Sequence, residues 1–122
     1  MLIVRACRVG AGRIAVPDRF KHRSEGSDHV LTVTGELDIY AAPLFTSELA
    51  KSRDNERLII DLTQCRYIDS SIISALIVAR KETSIPMRLV VAETSMVRRV
   101  LEMTQVNTVI PLFANLAEAI NQ

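Results

Sequence analysis

Leu58-Ile59-Ile60-Asp61-Leu62 is an almost unbroken apolar run, and a few residues on the chain reads Asp69-Ser70-Ser71-Ile72-Ile73-Ser74. A short continuous run of this kind predicts a central parallel strand covered on both faces. Asp69-Ser70-Ser71 supplies helix-capping chemistry, and Ile72, Ile73, Leu76, Ile77 and Arg80 then recur at helical spacing until Pro86 ends the pattern. Strand, short junction and helix form the repeating unit of an α/β sheet.

The same unit recurs on both sides. Upstream, Leu31, Val33 and Gly35 alternate with Thr32 and Thr34 as in a strand, and Pro43, Phe45 and Leu49 then mark a helix with one apolar face. Downstream, Met87-Arg88-Leu89-Val90-Val91 predicts a strand followed by a helix with Val97, Val100, Leu101 and Thr104 inward. A last cycle pairs a strand over Val109–Phe113 with a helix opened by Asn115, its Leu116, Ala117 and Ile120 facing inward. Pro111 has no N–H for a ladder, which places this strand at a sheet edge. Alternating strands and helices with short connections imply parallel strands joined by right-handed crossovers.

The start of the chain reads differently. Leu2–Val9 has the composition of a strand, broken by Gly10-Ala11-Gly12, and Ile14-Ala15-Val16 extends it or pairs with it. The polar stretch from Lys21 to Asp28 reads as an exposed, mobile connection. An antiparallel pair within residues 2–35 makes the sheet mixed, so the expected fold is α/β: one domain over residues 1–122, with a divergent strand and loop over 1–28.

Composition narrows the function. The 122 residues are 48% hydrophobic and 24% charged with a net charge of +1, so the chain has one domain's core and no overall electrostatic pull toward nucleic acid or anionic lipid. No apolar run reaches the length that spans a bilayer, and Met1-Leu2-Ile3-Val4-Arg5 meets a charge too early for a secretory segment, so the expected location is cytoplasmic, with no membrane partner. Cys7 and Cys65 lack the C-x-x-C spacing of a metal or redox site and read as free thiols. His22 and His29 have no metal-ligand spacing, and Gly10-Ala11-Gly12 lacks the rest of a dinucleotide fingerprint, so neither metal nor cofactor is expected.

Asp38, Asp61 and Asp69 fall where strands end, but spacing alone assigns them no acid or base role. Ser70 and Ser71 lie outside G-x-S-x-G, and no base is identified for either, so an enzyme is not expected. Two readings of these serines remain open. One of them is simply the helix N-cap, or Ser70 is a phosphoacceptor, a phosphate there adding about −1.5 to −2 charge beside Asp69 at a helix N-terminus.

Taken in order, Gly35-Glu36-Leu37-Asp38, Leu58-Ile59-Ile60-Asp61-Leu62, Tyr67-Ile68-Asp69-Ser70-Ser71, Arg88-Leu89-Val90-Val91 and Val97-Arg98-Arg99-Val100-Leu101 resemble the STAS domain of anti-sigma factor antagonists, from His29 to the C-terminus. The resemblance implies a mixed sheet faced by helices. It implies that an anti-sigma factor that is also a serine kinase phosphorylates Ser70 (Ser71 being the less favoured acceptor), which breaks the complex, and that a serine phosphatase restores it. By the same resemblance Asp38, Asp69, Ser70, Ser71 and Ile72 form the partner surface of a monomer or weak dimer that has no direct nucleic-acid contact. The family motif continues Gly-Leu-Gly after the second hydroxyl residue, where this chain has Ile72-Ile73-Ser74. Ile72 in a glycine position favours the alternative of a non-switching interaction or scaffold subunit, in a stress-signalling assembly or in lipid transport.

Overall fold

The structure is a computed structural model that describes residues 19–51 and 56–122. The strand expected over Leu2–Val9, the glycine break after it and Cys7 lie outside the described residues. In chain order the elements are β1 (Phe20–Glu25), β2 (Asp28–Leu37), α1 (Ala42–Ala50), β3 (Arg57–Ile68), α2 (Ser70–Glu82), β4 (Met87–Val90), α3 (Met96–Met103), a 3₁₀ turn (Val106–Thr108), β5 (Leu112–Phe113) and α4 (Leu116–Asn121). The sheet order is β1-β2-β3-β4-β5, with β1 antiparallel to β2 and every later pair parallel. This is the mixed α/β sheet the periodicity implies.

Side-chain alternation sorts the core into two layers. Leu31, Val33, Leu58, Ile60, Leu62 and Leu89 meet Phe45, Leu76, Val97 and Leu101 on the face covered by α1, α2 and α3. Val30, Ile59 and Val90 point the other way, onto Ala119 of α4. β3, flanked by β2 and β4, is thus buried on both faces, as its continuous apolar run requires.

Four expectations are corrected. Lys21–Asp28 is not an exposed connection: Phe20–Glu25 pairs with Asp28–Val33, Gly26 turning the hairpin at φ +61°. A polar sequence suits a strand at the edge of the described sheet, and tertiary partners hold it. Phe20 stacks on Phe45 at 6.3 Å, His22 Nδ1 lies 2.6 Å from His29 Nε2, and His22 Nε2 lies 2.5 Å from Glu48 Oε1. The strand expected over Val109–Phe113 shrinks to Leu112–Phe113, because Val109 and Ile110 donate their N–H groups to Val106 O at 3.0 and 2.9 Å and stay in the turn. Ala117 faces solvent and Ala119 takes its place in the core, since only Leu116, Ala119 and Ile120 share a face at helical spacing. Thr104, also expected inward, is exposed at the end of α3. β5 lies at the edge of the sheet among the described strands, where Pro111 contributes only its carbonyl, accepting from Leu89 N at 2.9 Å.

Buried charge ties the ends together. Asp28, only 6% exposed, receives Arg57 Nε at 2.9 Å and Nη2 at 2.8 Å, and that Nη2 also donates to Ile120 O at 2.7 Å. Arg88, stacked over Phe113, donates to Ala119 O at 2.7 Å and Gln122 O at 3.1 Å. Six residues are too few for a stable isolated helix. The two arginines satisfy the terminal carbonyls of α4 and fasten it to β3 and β4. The paired Asp28 carboxylate keeps the Arg57 pKa above its ordinary value, although burial opposes this.

Two predictions follow from these contacts. Asp28→Ala strands a half-buried guanidinium and costs about 2–4 kcal/mol in urea unfolding; a loss below roughly 0.5 kcal/mol contradicts this role. Burial raises the Glu48 pKa, but hydrogen bonds from Lys51 and His22 outweigh it and the net value lies below the ordinary 4.5. A depressed carboxylate pKa gives stability that is complete above the unfolded value and lost as pH falls through the folded one. Wild type is therefore more stable than Glu48→Gln near neutrality, and the gap closes below about pH 4.5; a pH-independent gap in melting temperature excludes this linkage.

Candidate functional site

The site forms where β2 and β3 end side by side. Leu37 pairs with Ile68, and Asp69 N donates to Leu37 O at 3.2 Å, so Asp38 and Asp69 leave adjacent strands at the same level. β3 reaches that level with two more residues than β2 over the same span, and the register slips between Thr32 and Thr34 and again between Gly35 and Glu36. Asp61 Oδ1 accepts from Thr63 N at 3.0 Å and Thr63 Oγ1 at 2.7 Å, which braces the first bulge. At the second, Gly35 adopts φ +86°, a conformation a side chain disfavours. The bulges bring Ile68 into the core and aim the next residues out of the sheet.

Asp38 closes the first loop: its Oδ1 accepts from Ala41 N at 3.0 Å, holding Ile39 and Tyr40 in a turn before α1. Ile39 is 61% exposed and Tyr40 85%, and Tyr67, next to last in β3, is half-exposed. Sequence reasoning missed these three. The signal was present, because Ile39 and Tyr40 follow Leu37 and precede Pro43, where neither strand nor helix period claims an apolar residue.

Asp69 is the N-cap of α2, a role expected of Ser70 or Ser71 and filled by neither. Its backbone is extended, and its Oδ1 accepts from Ser71 N at 2.9 Å, from Ile72 N at 3.4 Å and from the Ser71 hydroxyl. Ser70 is the first residue of the helix and is exposed, with no side-chain hydrogen bond among the described residues. Ile72 is fully buried among the core side chains. It is therefore not the exposed apolar contact expected of it in this conformation. In the other motif positions Ile73 is partly buried and Ser74 is exposed.

The structure thus brings Asp38, Asp69, Ser70 and Ser71 to one end of the sheet, and Ile72 underneath it. Both histidines sit elsewhere: His29 is near the start of β2 and Leu37 at its end, roughly 26 Å apart at strand rise, and His22 pairs near His29. Neither serves as a base for Ser70. Cys65 is buried below the site, its Sγ 3.4 Å from Tyr67 O; burial pushes its thiol pKa up, with opposing hydrogen bonds too weak to reverse this. Such a thiol is poorly nucleophilic at neutral pH. Beside the serines a groove of about 790 Å³ runs between α1 and α2, with Ile39, Pro43, Ser71, Ser74 and Val78 along it and Leu58 and Met87 on its floor.

The capping geometry carries a stability prediction. Asp69→Ala removes the acceptor of both first-turn N–H groups and costs about 1–2 kcal/mol by urea unfolding. Asp69→Asn, which keeps an acceptor oxygen, recovers most of that loss; an alanine variant as stable as wild type refutes the cap.

Comparison with known proteins agrees with this architecture. No curated protein sequence matches the chain. Among solved structures it is similar to an anti-sigma factor antagonist of Mycobacterium paratuberculosis, with TM-score 0.77 and 20% identity over 83% of this chain and 89% of that one. It is similar to a Thermotoga maritima protein, with TM-score 0.73 and 20% identity over 83% and 91% of the two chains. It is also similar to the Bacillus cell fate determinant SpoIIAA in its phosphorylated form, with TM-score 0.62 and 18% identity over 84% and 96%. Residues 21–119 match the STAS domain, and with the sheet order and strand-end site described above this chain belongs to the STAS domain family.

Proposed function

We propose that this STAS domain is an anti-sigma factor antagonist: it binds an anti-sigma factor that is also a serine kinase, thereby releasing a sigma factor, and phosphorylation of Ser70 ends the binding. The observation that carries this reading is the state of Ser70, an exposed hydroxyl with no side-chain hydrogen bond among the described residues, at the first position of a helix whose cap is supplied by its neighbour Asp69. At the same end of the sheet are exposed apolar side chains, Ile39, Tyr40 and Tyr67, and the carboxylates of Asp38 and Asp69, which offer both an apolar anchor and charge. The similarity to SpoIIAA, which has been solved in unphosphorylated and phosphorylated forms, supports the same assignment.

A phosphate on Ser70 sits at the positive end of α2, so the free domain tolerates it. In a docked complex it faces the same partner groups as Asp69 and Asp38, and the added charge of about −1.5 to −2 lies where water has been excluded. A buried, unmatched charge of this kind costs roughly 2–5 kcal/mol, or about thirty- to several-thousand-fold in affinity. A serine phosphatase acting on the phosphorylated form completes the cycle. The alternative is a non-switching scaffold subunit, favoured by Ile72-Ile73-Ser74 in place of the family's Gly-Leu-Gly; burial of Ile72 speaks against its use as the apolar contact of such a subunit.

The test is to incubate the protein with ATP and purified candidate anti-sigma kinases, map any added phosphate by mass, and measure binding of Ser70→Ala and Ser70→Asp. Ser70→Ala retains wild-type affinity and Ser70→Asp loses at least thirtyfold. Equal binding by the two variants sinks the switch, and stable binding without phosphate transfer establishes the scaffold role instead.

A further inference from the structure

Two hydroxyl groups stand next to each other at the start of α2, and their surroundings differ. The Ser71 hydroxyl donates to Asp69 Oδ1, which also accepts the N–H groups of Ser71 and Ile72 at 2.9 and 3.4 Å. One carboxylate oxygen therefore takes three donors, while Asp69 Oδ2 has no hydrogen-bond partner among the described residues. Ser71 is half-buried and turned back on the cap; Ser70 is exposed and its side chain has no hydrogen-bond partner among the described residues.

We infer that Ser71 is a positioning residue: its hydroxyl anchors Asp69 and so confines phosphoryl transfer to Ser70. This rests on the acceptor role proposed for Ser70 and adds what makes that role exclusive. A phosphate on Ser71 places its negative charge in contact with a carboxylate oxygen already saturated by donors, and breaks one of those bonds. A phosphate on Ser70 disturbs none of them. In the transfer, Ser70 Oγ bonds to the γ-phosphorus of a nucleoside triphosphate on the partner kinase, the bond to the β,γ-bridging oxygen breaks, the diphosphate leaves and the hydroxyl proton passes to solvent. Without the Ser71 hydroxyl, Asp69 is held by two amides only, the longer at 3.4 Å, and the turn that presents Ser70 loses its fixed geometry. The loss falls on the transfer step and leaves the apolar docking contacts of Ile39 and Tyr40 in place.

The experiment is steady-state phosphorylation with the kinase that modifies the wild-type chain, comparing wild type, Ser71→Ala, Ser71→Thr and Ser70→Ala, with site mapping by mass. Expected are phosphate on Ser70 alone, kcat for Ser71→Ala lowered about tenfold with KM within twofold, as for loss of one charge-assisted hydrogen bond, near-wild-type kcat for Ser71→Thr, and no phosphate on Ser70→Ala. Melting temperatures of the two Ser71 variants separate a loss of fold from a loss of positioning: Ser71→Ala is at least nine-tenths folded at the assay temperature. Phosphate on Ser71 in any variant, or a Ser71→Ala with wild-type kcat, overturns this inference while the Ser70 reading stands. Equal impairment of Ser71→Ala and Ser71→Thr overturns it too, because the hydroxyl is then not what matters. A wild-type chain that no candidate kinase modifies overturns the acceptor reading and this inference together.

Discussion

The Asp69 carboxylate stands between the last residue of β3 and the first of α2, and both depend on it. Its backbone N–H reaches across to Leu37 O and its side chain takes the first free N–H groups of the helix. The strand pairing that aligns Leu37 with Ile68 thus ends in the same residue that starts the helix. Because α2 buries Ile72 and Leu76 against the sheet, its starting point sets which residues of the motif turn inward. Asp69 as cap makes Ser70 the first helical position, leaving it outside, and puts Ile72 under the sheet end. A cap one residue later would rotate the apolar face by about 100° and expose the isoleucine.

That joint works only on a sheet whose strand ends are level. β3 needs two extra residues to bring Ile68 opposite Leu37, and the bulges that hold them use Asp61 for one and the positive φ of Gly35 for the other. At the opposite end of the strands, Asp28 and Arg57 are paired in the same register ladder, and Arg57 and Arg88 hold the last carbonyls of α4. Hydrogen-bonded carboxylates thus stand at both ends of the sheet, Asp28 at one and Asp38 and Asp69 at the other. Ile39, Tyr40 and Tyr67, three of the exposed large apolar side chains, lie at the Ser70 end of the sheet.

Much of this was legible before any coordinates. The continuous run at Leu58–Leu62, the helical spacing after Asp69 and the position of Pro43 are local signals, and each element they imply is present. Polar or short segments are less legible. Lys21–Glu25 has little strand character of its own and becomes a strand because of distant contacts: Phe20 meets Phe45, and His22 meets His29 and Glu48. Tertiary context here overrides propensity. Val109 and Ile110 have high strand propensity, but a local bond outweighs it: Val106 O, three and four residues back, holds them in a turn.

The candidate site divides in the same way. The sequence by itself determined the order of strands and helices from β2 onward and the presence of a capping triplet, Asp69-Ser70-Ser71, at a strand-to-helix junction, because apolar period and cap chemistry act between residues a few positions apart. Only the tertiary structure decided which of the three is the cap, that Ile72 is buried, and that Asp38, Ile39 and Tyr40 stand beside Ser70. Those facts depend on β2 pairing with β3 across some thirty residues of chain, and neither burial nor proximity over that span is encoded in any one segment.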